Sequence, residues 1–451
     1  MHLLQIILAT IITLGILVTV HEYGHYWVAR RCGVKVIRFS IGFGKPLFAW
    51  HDRNGTEFVI AAIPLGGYVK MLDEREAPVA PELLSQAFNR KPVGQRIAIV
   101  VAGPAANFLF AIVAYWIIFA MGTTSVVPVV GVLEPGSPAA KAGIQSGHEI
   151  IYVDGEETRS WDAVSLKLLT RIGDTGELRF ITRPMDGYSE HHVSIPIEDW
   201  EKGVEQPRPL PSLGIKPYMP TVPPLIEKVT PGGAGEKAGL ESGDVIMAVN
   251  GEPIAHWQQL VDWVKRSPDL PLDLTVRRGN DELTVIAIPD LTSTPDNMSV
   301  GHLGVASKQT NWPEHLLRET RYPIYQAAWP AMVKTWEMSA LTLNALKKMV
   351  TGSISIKNLS GPITIATVAS DSVEKGIRTF LNFLAYLSIS LGLINILPIP
   401  VLDGGHLMYY LVELVRGRPV SEKTQDFGLR VGLCIIFALM IVAIYNDLMR
   451  L

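Results

Sequence analysis

Residues 3–25 read LLQIILATIITLGILVTVHEYGH. No Asp, Glu, Lys or Arg occurs from Leu3 to Val20, and the run then meets His21, Glu22 and His25. A membrane helix needs roughly 20 apolar residues, so this stretch is long enough to cross. Three ionisable groups at the end of such a helix are expensive, and residues of that kind mark function. On a helix, positions i and i+4 share one face. His21 and His25 can therefore hold one tetrahedral zinc, with bonds of roughly 2.0–2.1 Å. Glu22 points in a neighbouring direction, within reach of a water beside the metal as a general base. The opposing reading is a pair of surface histidines just past a helix end. A secretory leader fits poorly, because a basic n-region and a small-residue cleavage site are both missing.

The rest of the chain agrees with a membrane protein. Of 451 residues, 48% are hydrophobic and 18% are charged, and mean hydropathy is +0.24. That charged fraction is low for a soluble protein. A net charge of -3 points to no nucleic-acid partner. Cys32 and Cys434 lack any paired spacing, so neither a disulfide framework nor a thiolate metal site is expected. Further apolar runs occupy Ile97–Met121, Thr379–Leu402 and Val431–Tyr445. The last is short, and a buried core helix is its alternative. Basic residues set the orientation. Arg30, Arg31, Lys35, Arg38, Arg90, Lys91 and Arg96 follow the first run and precede the second, and Arg416, Arg418 and Lys423 sit between the third and fourth. These loops are expected in the cytoplasm, with the N-terminus and residues 122–378 outside.

An internal repeat dominates the outer region. Pro135-Gly136, Lys141-Ala142-Gly143, Ser146-Gly147, Ile150, Val153, Gly155-Glu156 and Trp161 recur 96 positions later. Their counterparts are Pro231-Gly232, Lys237-Ala238-Gly239, Ser242-Gly243, Ile246, Val249, Gly251-Glu252 and Trp257. Each unit reads as a small α/β domain, with Asp154-Gly155 or Asn250-Gly251 as a type I′ turn. The residues resemble PDZ domains of the circularly permuted, protease-associated type. The resemblance implies possible peptide ligands added to a sheet edge beside a helix; rigid spacers without ligands are the alternative. Residues 311–378 carry Trp312, Tyr322, Tyr325, Trp329 and Trp336 among basic residues, and Pro323 and Pro330 interrupt the pattern. Amphipathic helices at the outer membrane interface are expected there, and an ordinary surface helix pair is the alternative. Five regions result: 1–125, 126–216, 217–310, 311–378 and 379–451.

A zinc site needs a third protein ligand. The candidate lies far away, in Asn395-Ile396-Leu397-Pro398-Ile399-Pro400-Val401-Leu402-Asp403-Gly404-Gly405-His406. Depth supports it. His21 lies about 27 Å from the outer end of its helix, and Asp403 about 34 Å from that of the third run, less if the prolines unwind it. Pro398 and Pro400 are expected to break the helix, and Gly404-Gly405 to let backbones approach closely. Such broken backbone survives only inside protein or along a wet cavity. Asp403 is preferred, and His406 is the other candidate.

An intramembrane His-Glu-x-x-His with a distant Asn-x-x-Pro-x-Pro-x-x-Asp-Gly resembles the site-2 proteases. The similarity extends to Gly42-Phe43-Gly44, Pro64-Leu65-Gly66-Gly67-Tyr68-Val69-Lys70, Gly103-Pro104-Ala105-Ala106-Asn107 and Leu359-Ser360-Gly361-Pro362-Ile363. It implies a polytopic α-helical membrane protein with four transmembrane helices, two PDZ-like domains on the outer side, and a bacterial inner membrane as location. It implies one zinc per chain on His21, His25 and Asp403, catalysis by Glu22, and Asn395 and Asn107 near the bound peptide. The expected substrates are single-span proteins, namely anti-sigma factors and remnant signal peptides, in an envelope stress response. The outer domains would then act as a size filter.

The expected reaction is peptide hydrolysis. A transmembrane substrate must unwind, and each unpaired polar group in lipid costs several kcal/mol. A sheet edge compensates by pairing with it. Val36–Trp50 and Thr56–Ile63 read as paired strands around Asn54-Gly55, with Pro64-Leu65-Gly66-Gly67-Tyr68 as an extended edge. This membrane-associated hairpin is expected to hold substrate beside the zinc; a purely structural hairpin is the alternative. Two other functions compete: a zinc-binding membrane scaffold without turnover, and a metal permease. Glu22 argues against the scaffold, since metal binding alone needs no base.

Overall fold

The computed structural model describes residues 2–205, 207–293, 299–307 and 312–450. The expected boundary between residues 310 and 311 lies outside them.

Four helices are long and apolar enough to cross a membrane: Leu3–Arg31, Val93–Met121, Ile377–Ile396 and Glu422–Arg450. The fourth is thus far longer than its apolar core of Val431–Tyr445, because polar residues at both ends continue the helix. The third stops at Ile396, before Pro398, and a new helix begins at Asp403 and runs to Arg416. Proline lacks the amide that would continue the ladder, so the expected break occurs.

Small residues bring the spans together. Ala111, Ala114 and Tyr115 of the second span, Ala385 and Ile389 of the third, and Ala331 form one buried cluster. Without a hydrophobic effect between helices in lipid, such close contact is what holds them. Ala331 belongs to a helix, Ala328–Val350, that packs on the second span. Pro330 does not interrupt this helix. It sits in the first turn, where its missing N–H has no intrahelical partner to lose. A further helix, Pro362–Glu374, lies against the first and fourth spans. The Asp447 carboxylate of the fourth span caps it, accepting from the amides of Gly361 (2.9 Å), Ile363 (2.8 Å) and Thr364 (3.1 Å).

The two repeat units fold alike. Each has a four-stranded antiparallel sheet: 156–157, 148–153, 176–184, 191–197 in the first, and 252–253, 245–249, 272–278, 281–287 in the second. The turn expected at each dipeptide is present: Asp154 and Gly155 have φ of 49° and 81°, Asn250 and Gly251 of 51° and 79°. The 96-residue correspondence ends after Arg278, where a tight Gly279-Asn280 turn replaces a longer connection in the first unit. The first unit is fastened to the helix Ala328–Val350 and to strand Leu317–Thr320. Lys348 Nζ donates to the Thr170 and Ile172 carbonyls at 2.7 Å each and to Asp174 at 2.6 Å. Buried Glu149 meets Arg183 at 3.1 Å and Arg318 at 2.9 Å.

Between the first two spans lie strands Val36–His51 and Glu57–Met71. They do not form the simple hairpin expected from their pattern. Both strands bend, so residues 38–41 are flanked on both sides, by 57–60 and by 67–70, while 46–51 pairs outside 57–61. Residues 67–71 are therefore an outer segment of a small sheet, already paired on one side. Gly42, Gly44 and Gly66 adopt positive φ at the bends, which glycine tolerates without a steric penalty.

Candidate metal centre

His21, His25 and Asp403 converge. His21 Nε2 and His25 Nε2 lie 3.2 Å and 3.3 Å from Asp403 Oδ2, and 3.3 Å from each other. A tetrahedral zinc with bonds of roughly 2.0–2.1 Å sets its ligand atoms about 3.3 Å apart, so the triangle has the size of one face of that tetrahedron. Among the described residues this is the only group of three such side chains close enough to share an ion. Asp403 Oδ2 is buried and accepts no hydrogen bond, as suits an oxygen turned toward a cation. The donor set fits zinc. His406, the other candidate, is not part of the triangle, although it lines the same cavity.

Both histidines are held from behind by the second span. His25 Nδ1 donates to the Ile99 carbonyl at 2.8 Å, which leaves Nε2 free for a metal. The edge of the His25 ring lies where a side chain on Gly103 would be, so only glycine admits it there. The side-chain amide of Asn107, fully buried, stands 3.1 Å from His21 Nδ1. With Nε2 given to a metal, Nδ1 carries the ring proton, and the amide presents its oxygen to it. A half-turn of the amide accomplishes this without changing its shape, and it gives a partner to Asn107 Oδ1, which otherwise has none. Asn107 was expected beside the bound peptide; the contact it makes is with His21.

Sequence reasoning missed the Ile99 carbonyl and the role of Gly103. A backbone acceptor leaves no trace in residue identity. Gly103 does open the Gly-Pro-Ala-Ala-Asn motif, and that was the available signal.

A cavity of about 380 Å³ adjoins the triangle. Glu22 lines it, as do Gly67, Tyr68 and Val69. A Cβ on Gly67 would stand 3.2 Å from Glu22 Cγ, so the outer sheet segment runs directly past the metal helix. Among the described residues no strand pairs with its second side. The Tyr68 ring stacks on Phe43 at 6.1 Å, and its hydroxyl accepts from Arg38 at 3.3 Å. Gly66, at φ +119°, packs against Phe43. Asn395 is half-buried near the end of the third span and makes no side-chain hydrogen bond among the described residues.

Two histidines and a carboxylate so close together fit the class of zinc enzymes, and residues 9–439 match Peptidase family M50: the chain belongs to this site-2 protease family of zinc metalloproteases. Its relatives include the Yersinia pestis "Protease RseP", 48% identical over 451 residues with both chains fully covered. The Escherichia coli K12 "Regulator of sigma-E protease RseP" is 46% identical over 442 residues, 98% of each chain. The Salmonella typhi "Regulator of sigma E protease" is 47% identical over 443 residues, again 98% of each.

Proposed function

We propose that this zinc metalloprotease cuts single-span membrane substrates within the bilayer, with His21, His25 and Asp403 as its zinc ligands and Glu22 as its catalytic base. The observation that carries the reading is the triangle of 3.2–3.3 Å formed by three residues from opposite ends of the chain, with Glu22 on the wall of the adjoining cavity. Zinc bound there supplies Lewis-acid polarisation of the scissile carbonyl and lowers the pKa of water. Glu22 takes the proton of the attacking water and returns it to the leaving amine. The Asn395 amide donates to the oxygen on which charge develops. Asn107 holds the His21 ring and so acts on geometry.

Residues Gly66, Gly67 and Tyr68 belong to the substrate site through their backbone. The unpaired side of 67–71 offers amides and carbonyls to an unwound substrate segment, in place of the helical bonds it gives up. The names of relatives speak of sigma-E regulation; the substrates of this reading are a truncated anti-sigma factor and remnant signal peptides, which share the single-span chemistry. The repeat units are PDZ-like domains that exclude bulky outer domains and offer possible peptide-binding edges. Basic residues flanking the spans support an inner-membrane protein with the N-terminus and both units in the periplasm, and with the zinc near the cytoplasmic side.

The test is direct. The chain is purified in detergent, its zinc measured, and a single-span peptide offered to wild type and Glu22→Gln. Stoichiometric zinc in both, with cleavage slowed at least about 10²-fold in the variant, is expected. Equal cleavage by both removes Glu22 from the chemistry, and zinc that survives joint replacement of His21 and Asp403 by alanine moves the site elsewhere.

A further inference from the structure

Asp403 stands just after a non-helical stretch, 397–402, that contains Pro398 and Pro400. The backbone of this stretch packs closely on Gly404 and Gly405 and so holds the start of the helix. A second hold on the third ligand acts further along the helix that it begins. That helix presents Asp403, His406, Tyr410 and Glu413 within one arc of its surface, given 3.6 residues per turn. At the far end of this arc Glu413 receives Arg96 of the second span. Arg96 Nη2 and Nη1 donate to the two carboxylate oxygens at 2.6 Å and 3.0 Å. The two side chains are only 12% and 16% exposed, so the pair is shielded from water and its fork geometry is directional.

Arg96 is itself held in place. Its Nε donates to the Lys91 carbonyl at 3.0 Å, and its guanidinium lies 4.9 Å over the ring of Tyr410. Tyr410 is buried and meets Phe88 edge-on at 6.2 Å. On the second span, Arg96, Ile99, Gly103 and Asn107 follow at intervals of three, four and four residues, which places them on one face. Ile99 orients His25, Asn107 orients His21, and Arg96 grips the helix that begins with Asp403. One face of the second span thus touches the structural support of all three ligands.

We infer that Arg96 and Glu413 are positioning residues for the metal site: their ion pair sets the rotation of the helix Asp403–Arg416 and so the place of Asp403 Oδ2. This rests on the reading of His21, His25 and Asp403 as the metal ligands. Neither residue touches the metal or the substrate cavity's reacting groups. Their effect is on how tightly and with what geometry a cation is held.

The experiment uses the full-length chain in detergent, stripped with a chelator and titrated with Co²⁺, whose visible bands report tetrahedral coordination. Glu413→Gln keeps size and shape but removes the carboxylate charge, and Arg96→Lys keeps the charge but removes the planar fork. Each is expected to weaken Co²⁺ binding by about tenfold or more, the range for residues behind the ligands, and to shift the visible bands. The exchange Arg96→Glu with Glu413→Arg is expected to recover most of the affinity. Wild-type affinity and bands in both single variants overturn the inference while the metal reading stands. A wild-type chain that takes up neither Co²⁺ nor Zn²⁺ overturns the metal reading and the inference with it. If both single variants lose their helical circular dichroism, the exchange decides: wild-type Co²⁺ binding by the folded double variant supports the pairing, and its loss overturns it.

Discussion

The Asn107 side-chain amide, in the second span, lies 3.1 Å from Nδ1 of His21, a histidine of the proposed metal site 86 residues earlier in the chain. Neither group reaches solvent to any extent: Asn107 is fully buried and His21 is 8% exposed. An amide so placed fixes both the ring's orientation and the nitrogen that faces the metal.

Replacing Asn107 by alanine should therefore weaken zinc binding by about 10–100-fold. Competition with a chromophoric chelator measures this on the purified chain. Asn107→Asp, which keeps an oxygen at the same position, should lose much less. Equal zinc affinity in wild type and Asn107→Ala would show that the contact does not tune the site.

The fourth span grips the loop before Asp403 at two glycines of unequal importance. A Cβ on Gly432 would run into the Pro400 carbonyl oxygen, which is backbone, and would also meet Val401 Cγ2 at 3.0 Å. A Cβ on Gly428 would meet the Tyr409 hydroxyl, the end of a side chain. Gly432→Ala is expected to cost about 1–3 kcal/mol, as overpacking does, read as a lower Tm and weaker zinc retention. Gly428→Ala should be mild, and Tyr409→Phe should relieve what remains. The reverse order of severity would contradict this packing.

Proline at Val69 removes the backbone N–H that donates to the Glu22 carboxylate, on the side of the outer sheet segment proposed to receive substrate. Cleavage of a single-span peptide should slow while zinc content stays at the wild-type level, since no ligand is disturbed. Unchanged turnover would count against strand addition there.

In the second repeat unit Asp244 is fully buried. Burial pushes its pKa up, but Arg278, donating at 2.8 Å to both oxygens, and the Glu241 amide at 2.8 Å outweigh that and hold it below the ordinary value. A group depressed on folding contributes stability that is complete above its unfolded pKa of about 3.9 and is lost as pH falls through the folded value. Amide hydrogen exchange in strands 245–249 and 272–278 of the full chain should therefore speed up below about pH 4, after correction for intrinsic rates. Asp244→Asn should show weaker protection at neutral pH and a flatter acid response. An identical acid profile in that variant would assign the transition to another group.

Much of this was legible in the residues. His21, Glu22 and His25 declare themselves by helical spacing and by their cost in an apolar run. Asp403 follows from the need for a third ligand and from prolines that open the helix. The repeat announces itself through a constant 96-residue offset, and the type I′ turns through dipeptides whose backbone preferences are local. Pro330 misled because a proline's effect depends on its distance from the helix start, which composition does not mark. The bent sheet between the first two spans was read as a plain hairpin, because alternation reports pairing on a strand but not which of two neighbours it takes.

The sequence by itself determined the zinc-metalloprotease chemistry, the four helices long and apolar enough to cross a membrane and the repeated units between them, because each rests on local periodicity or on residue types with few other uses. Only the tertiary structure decided that Ile99, Gly103 and Asn107 stand behind His21 and His25, and that Arg96 reaches Glu413 across 317 positions. Those choices depend on how helices rotate and close upon one another. Close packing between small residues sets that rotation, and it has no signature in the residues taken one at a time.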